Sequence, residues 1–403
     1  MLSKNQTYQF FASLGPACGA LGVQLVAFAV TARGLGASAF GAYSVILATC
    51  AICGELVGVG SADLLVRAVA RDPSRLGRYF GNMIGMIALT FAPMTAIAYC
   101  VVQSQHAETI SPWLILIAIV GEIGVVRIST SVELIMVAHH HVLRASTVRF
   151  FTPVARLVAA LVYFHMSSRL DGWAIAVFIQ SALISTVLLV ITIVLYGRPR
   201  AALLTDELGQ GLAFAVPQLS RAIQSNFDRV ALASFVTPGA LGAYSAGSRV
   251  LQLGLFPLQV MTRILYPHFF IEGAKGVAAA RSFALGKLPL MTGVGTAAMV
   301  AVAAAGELAP MILGKSYAAS NHTALVLSLA LPLMAIQYLA GDVLSGSGHQ
   351  RLRATVHFVM ALVSSMILAA GAALAGVQGV LIAFVASQGL VALVMWGVVL
   401  RAE

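Results

Sequence analysis

The sequence predicts an all-α polytopic membrane protein: twelve transmembrane helices in two six-helix bundles related by a pseudo-two-fold axis along the membrane normal. Three observations carry this expectation. The chain is apolar with few charges, its Lys and Arg fall on one side of the predicted membrane, and a hexapeptide recurs half a chain apart.

Of 403 residues, 60% are hydrophobic and 9% charged, whereas a soluble domain carries about a quarter charged residues. Mean hydropathy is +0.93. The 24 Lys/Arg exceed the 14 Asp/Glu, but in so apolar a chain that excess serves orientation in a membrane rather than nucleic-acid binding. Apolar stretches of about 20 residues, the length that crosses a bilayer, occur at 10–32, 40–62, 80–103, 112–136, 150–168, 172–196, 212–236, 240–266, 288–306, 322–345, 355–376 and 379–400. The connections are short, so the expected organisation is an N-terminal six-helix lobe over 1–200 and a C-terminal one over 201–403. Gly15 and Pro16 interrupt the first stretch, which disfavours a cleaved signal peptide.

Placing the N-terminus inside puts fifteen cations on that side: Lys4, Arg67, Arg71, Arg75, Arg78, Arg144, Arg149, Arg198, Arg200, Lys275, Arg281, Lys287, Arg351, Arg353 and Arg401. Only Arg33, Arg169 and Lys315 fall outside. This asymmetry predicts a multi-pass membrane protein with both termini cytoplasmic.

The repeat sets Ala39-Phe-Gly-Ala-Tyr-Ser44 against Ala240-Leu-Gly-Ala-Tyr-Ser245, five of six residues identical at an offset of 201. Each copy opens an outward-to-inward helix, the second and the eighth. Halves of six helices enter the membrane in the same orientation, as parallel repeats do in transporters. The repeat favours a carrier over a channel or a scaffold.

Around these hexamers, the run from Arg33 to Tyr43 resembles the opening signature of polysaccharide biosynthesis membrane proteins. So does the second half, from Asn226-Phe-Asp-Arg229 through Leu241-Gly-Ala-Tyr244 to Arg249, with Pro267 ending that helix. These are the Wzx-type flippases of the multidrug/oligosaccharidyl-lipid/polysaccharide exporter superfamily. The resemblance implies alternating access between two bundles and a cargo of undecaprenyl-pyrophosphate-linked oligosaccharide, moved to the periplasmic leaflet for O-antigen, capsule or exopolysaccharide synthesis. It implies a location in the bacterial inner membrane and a polyprenyl-pyrophosphate-linked glycan and membrane lipid as partners, with a polymerase and other polysaccharide assembly proteins as further candidates. No cofactor and no metal is expected; H+, Na+ or the membrane potential would supply the energy.

Six cations remain inside the spans, all arginine: Arg127, Arg156, Arg221, Arg229, Arg249 and Arg263. Each costs roughly 2.5–3.5 kcal/mol on insertion scales and so faces a cavity or a partner. Guanidinium also suits bidentate contact with phosphate. Arg156 and Arg263, near cytoplasmic ends, are expected to snorkel. Ser245, Arg249, Gln252, Phe256, Gln259 and Arg263 follow helical steps of three and four and share one face; Arg221, Ser225 and Asp228 share another. The expected substrate path comprises Arg221, Arg229, Arg249, Arg127, Gln252 and Gln259, with Asp228, Glu55 and Glu122 as ion-pair or coupling groups. Glu133 and Asp342 lie nearer the cytoplasmic ends and are weaker candidates. Counting residues from Pro238 puts Asp228 and Arg249 at one depth and predicts that they pair.

Other motifs lack the context their chemistry needs. Cys50 and Cys53 form C-x-x-C inside an apolar run, without a second Cys/His pair. Gly34-Leu-Gly36 follows no strand, and consecutive His139, His140 and His141 read as interfacial residues that cannot all face one ligand. No catalytic constellation is present, so an enzyme is not expected. The rival readings are a cation-coupled multidrug exporter of the same superfamily, a peptidoglycan-precursor flippase and a non-transporting scaffold.

Overall fold

The computed structural model describes the backbone of residues 4–106, 110–167 and 169–402; the side chains of residues 4–18, 106, 125 and 142 fall outside that description, Lys4 and Cys18 among them. Among the described residues there is no strand. The helices are α1 (Lys4–Gly54), α2 (Ser61–Arg71), α3 (Leu76–His106), α4 (Pro112–Ile119), α5 (Val126–Ala138), α6 (Val142–Met166), α7 (Leu170–Tyr196), α8 (Leu208–Ala233), α9 (Pro238–Gly273), α10 (Val277–Leu313), α11 (Ser320–Ser328), α12 (Ala330–Gly346) and α13 (Gln350–Arg401).

The twelve apolar stretches lie on these helices, with some joined end to end. The first two share α1, which kinks at Gly36 (φ 74°), and the last two share α13, which kinks at Ala375 and Gly376 (φ 56°). The positive φ is what glycine permits at no steric cost. The fourth stretch is α4 and α5 joined by a π-helical turn, Val120–Val125.

Two boundaries differ from expectation. The second stretch ends at Gly54 rather than residue 62, because Gly58, Val59 and Gly60 all take positive φ. The chain resumes as amphipathic α2, which buries Leu64, Leu65, Ala68 and Val69. Pro267 does not end its helix, since α9 runs through both Pro257 and Pro267 to Gly273. Each proline removes one backbone hydrogen bond, a loss that packed membrane helices tolerate. At its start α9 is capped by Thr237, whose Oγ1 accepts from Ala240 N at 3.4 Å, with Pro238 in the first turn, where its missing N–H costs nothing.

By packing, the chain forms two compact units: Met1–Leu35 with Tyr43–Ala222, and Gly36–Ala42 with Ile223–Glu403. In the first, α7 packs on α4, α5, α6 and the π turn, and α2 packs on α3 and α5. Its core includes Tyr43, Ala160, Trp173 and Val177. The outer stripe of α7, with Leu183 65% and Val194 76% exposed, is apolar and suits lipid. Residues 197–207 form a strap across α3. Arg200 N donates to Gly77 O at 2.7 Å, Leu204 N donates to Asn82 Oδ1 at 2.7 Å, and Glu207 accepts from Tyr79 Oη at 2.5 Å and from Arg67 at 3.2 Å. In the second unit α9, α10, α11 and α12 pack mutually, and α13 packs on α12 and α11.

Candidate functional site

The repeated hexamers place a tyrosine at the same point in each half, and each tyrosine holds a buried carboxylate. In the first unit the π turn projects Glu122, whose Oε1 accepts from Tyr43 Oη at 3.4 Å and from Arg156 Nη2 at 3.0 Å; Arg156 also donates to Tyr43 Oη at 3.3 Å. In the second, Tyr244 Oη donates to Asp228 Oδ2 at 2.7 Å, with Arg229 Nε 3.7 Å from Asp228 Oδ1. A π turn adds a residue to the helical repeat and re-aims a side chain, which is how Glu122 reaches α1 and α6.

Beside the first triad lies a cavity of about 230 Å³ lined by Cys50, Glu55, Glu122, Arg127 and Thr130, among others. Arg127 donates to Glu55 Oε2 at 3.2 Å and to Val57 O at 3.1 Å. Both carboxylates of this cavity are therefore paired with an arginine. Asp63 on α2 stands within electrostatic reach of Arg127, Glu55 and Arg221, and desolvation raises its carboxyl above the ordinary range against the pull of Arg127. Sequence reasoning passes over Asp63 because it falls just beyond the expected second span.

The second unit carries the opposite balance. Arg229, 5% exposed, donates to Ser225 O at 2.7 Å and to Asn226 Oδ1 at 3.4 Å. Arg249 donates to Gln252 Oε1 at 3.0 Å and is repelled by Arg229. Among the described residues no carboxylate pairs with Arg249, while Asp228 is already engaged by Tyr244. Arg229 Nε and Asp228 Oδ1 are buried with no hydrogen-bond partner. Arg229 thus shares Asp228 with Tyr244, and Arg249, within electrostatic reach of Arg229, adds a further positive charge. The polar stripe of α9 is buried at Ser245, partly exposed at Arg249, Gln252 and Phe256, and open at Gln259 and Arg263. On α8 exposure rises from buried Asp228 to exposed Ser225 and Arg221. Arg221 bonds Gln218 on its own helix.

Two expectations are corrected. Asp228 pairs with Tyr244 and Arg229 rather than with Arg249, because counting from Pro238 treats the turn residues 234–237 as helix. From the helix ends, Asp228 lies five residues before Ala233 and Tyr244 six after Pro238, so these two share a depth. Arg156 does not snorkel, since Glu122 and Tyr43 hold it, whereas Arg263 is exposed. Of the three histidines, His139 and His141 meet Tyr196, their rings 4.6 and 5.6 Å from its ring. His140, at φ 60°, breaks the helical spacing between them. Elsewhere, Glu133 pairs with Arg149 at 2.5 Å, and Asp342 lies 3.6 Å from Arg353. Among the described residues no group of three or more His, Cys, Asp or Glu could hold a metal ion.

A family model described as polysaccharide biosynthesis protein matches residues 12–271. No curated protein matches. A multidrug resistance MATE transporter of the MOP superfamily, in an inward-facing conformation, superposes with a TM-score of 0.74 at 14% identity, over 94% of this chain and 93% of its own. The lipid II flippase MurJ, in an inward closed conformation, gives 0.69 at 12% identity over 98% and 88%. The Vibrio cholerae MATE transporter VcmN gives 0.59 in its bent form, at 17% identity over 98% and 95%. At these identities the likeness shows the fold, the two-lobe, 12-helix architecture of MOP-superfamily transporters.

Proposed function

The chain belongs to the polysaccharide biosynthesis protein family, and from that premise we propose that it is an inner-membrane flippase for polyprenyl-pyrophosphate-linked oligosaccharide, working by alternating access with both termini cytoplasmic. The observation that carries this reading is the unbalanced arginine pair of the second unit. Among the described residues Arg249 has no carboxylate of its own, and Arg229 shares Asp228 with Tyr244. An uncompensated cation within a span is costly, and a pyrophosphate would relieve that cost while taking charge-assisted hydrogen bonds. Arg229, Arg249 and Gln252 would meet the headgroup; Gln259, Arg221 and Arg127 would serve the sugars and their approach. An inside-negative potential assists the exit of an anion by about 2.3 kcal/mol per charge per 100 mV.

The MATE neighbours favour a second reading, export of cationic drugs. A cation would need free carboxylates, however, and Glu55 and Glu122 at the cavity of the first unit are both paired with arginine. The electrostatic balance therefore supports the anionic cargo. Deleting the gene and profiling lipid-linked glycans tests the proposal. A polyprenyl-pyrophosphate oligosaccharide should accumulate on the cytoplasmic side; an unchanged glycan profile together with new sensitivity to cationic dyes would overturn it.

A further inference from the structure

A second cavity, of about 620 Å³, lies within the second unit at the turn between α12 and α13, and the flippase reading gives it no role. Phe270 of α9, Ser345 and Gly346 of α12, His349 of the turn, and Arg351 and Leu352 of α13 line it, among others. Its volume falls within the roughly 300–1,000 Å³ of small-molecule sites. Close backbone packing builds it. A Cβ at Gly346 would meet Phe269 O, and one at Gly273 would meet the Gly346 carbonyl, so α9 and α12 touch here and bring Phe270 beside the turn. Ser347, Gly348 and His349 alone connect α12 to α13, with Gly348 at φ 85°. Ser347 Oγ donates to Val343 O at 2.7 Å and lies 3.3 Å from His349 Nδ1, which fixes the imidazole by one ring nitrogen.

Charge and polarity decide what the cavity can take. Nearby, Lys275 pairs with Glu272 at 2.9 Å, and Arg353 donates to Ser345 Oγ and lies 3.6 Å from Asp342. Arg351 is exposed, and among the described residues no carboxylate pairs with it, so it brings a positive charge that nothing answers. Next to this polar lining the surface turns apolar. On α13, Leu352, Val359, Leu362 and Met366 follow steps of seven, three and four, which share one helix face, and all are exposed. On α9, Ile264, Phe270 and Ile271 are exposed as well. In the topology expected from the basic loops, Arg351 stands at the cytoplasmic surface and these apolar residues run into the bilayer. A cation at the head of apolar stripes suits an anionic amphiphile better than a soluble anion.

We propose that this cavity holds an anionic phospholipid of the surrounding bilayer, its phosphate against Arg351 and His349 and its acyl chains along α9 and α13. Basic pockets between membrane helices on the cytoplasmic side hold anionic headgroups in this way, and a guanidinium takes a phosphate through charge-assisted hydrogen bonds. The site is complete within one unit and does not depend on the identity of the cargo.

The test uses the full-length protein purified in neutral detergent, with lipids added back and binding read by native mass spectrometry. Phosphatidylglycerol should be retained more tightly than zwitterionic phosphatidylcholine. Arg351→Gln should weaken phosphatidylglycerol binding about tenfold or more, the loss expected when a hydrogen bond to a charged group is removed. Arg351→Lys, which keeps the charge, should retain most of it. Arg71→Gln removes an exposed cation from the first unit and should leave binding unchanged. In a parallel thermal unfolding assay, added phosphatidylglycerol should raise the midpoint of the parent and not that of Arg351→Gln. Inorganic phosphate, the soluble source of the same chemistry, should not displace the lipid. Equal phosphatidylglycerol binding by the parent and Arg351→Gln, equal losses from Arg351→Gln and Arg71→Gln, or displacement of the lipid by inorganic phosphate would overturn the proposal.

Discussion

Removing one hydroxyl, by Tyr244→Phe, should be among the most damaging conservative changes in the protein. Tyr244 is fully buried and Asp228 3% exposed, and the bond between them is 2.7 Å. Phenylalanine keeps the ring packing and deletes the donor. The carboxylate then keeps only Arg229, 3.7 Å from an oxygen that already lacks a hydrogen-bond partner. A buried hydrogen bond to a charged group contributes about 1.5–3 kcal/mol, so the folded-to-unfolded ratio should fall about 10- to 150-fold. The equivalent Tyr43→Phe should cost less, about 0.5–1.5 kcal/mol, because its bond to Glu122 is 3.4 Å long and Glu122 retains Arg156 at 3.0 Å. Thermal unfolding of the purified protein in detergent, followed by the reactivity of newly exposed cysteines, measures both. In a cycle with Asp228→Asn, the double variant should lose less than the sum of the single losses. An unaffected Tyr244→Phe, strict additivity, or a larger loss at Tyr43 would refute the reasoning.

Other perturbations follow from the same contacts. Arg156→Ala strands Glu122, 12% exposed, and should cost about 2–4 kcal/mol; adding Glu122→Gln should recover part of that in the same unfolding assay. Gly81→Ala drives a Cβ into the Arg200 carbonyl and should undock the strap, seen as faster limited proteolysis near Arg198 and Arg200. Asp63 binds its proton more tightly in the folded state, its carboxyl being raised chiefly by desolvation. Its contribution is therefore present below the ordinary carboxylate value and lost as pH rises through the raised one. Asp63→Asn should be more stable than the parent near about pH 7 and match it near about pH 4; a difference that does not change with pH would sink this assignment.

Much of the architecture is legible in the chain because membrane helices announce themselves by length and apolarity, and because a hexamer recurring at matching topological points marks two copies of one structural unit. The boundaries are less legible. Pro267 reads as a stop on soluble-helix logic, yet α9 carries it inside, and the run of Gly58, Val59 and Gly60 that breaks the second stretch is as apolar as its surroundings. The candidate site is half visible. Embedded arginines can be counted from the chain, but their partners depend on geometry that spacing does not carry. The π turn that turns Glu122 toward Arg156 leaves no mark in the hydropathy. Tyr43 and Tyr244 stand out only as members of a repeat, although a polar-tipped residue shared by two otherwise apolar hexamers needs a buried partner. That is the available signal for both triads.

The central claim, an anionic lipid-linked cargo held by Arg229 and Arg249, is tested most directly in proteoliposomes. They would carry a fluorescent polyprenyl-pyrophosphate oligosaccharide under an imposed membrane potential, with translocation read by quenching from outside. The account predicts that the protein speeds translocation of this lipid, that removing the pyrophosphate charge abolishes the gain, and that Arg249→Gln slows transport without loss of folded protein. Equal transport by Arg249→Gln, or movement of a lipophilic cation with no movement of the pyrophosphate lipid, would contradict it.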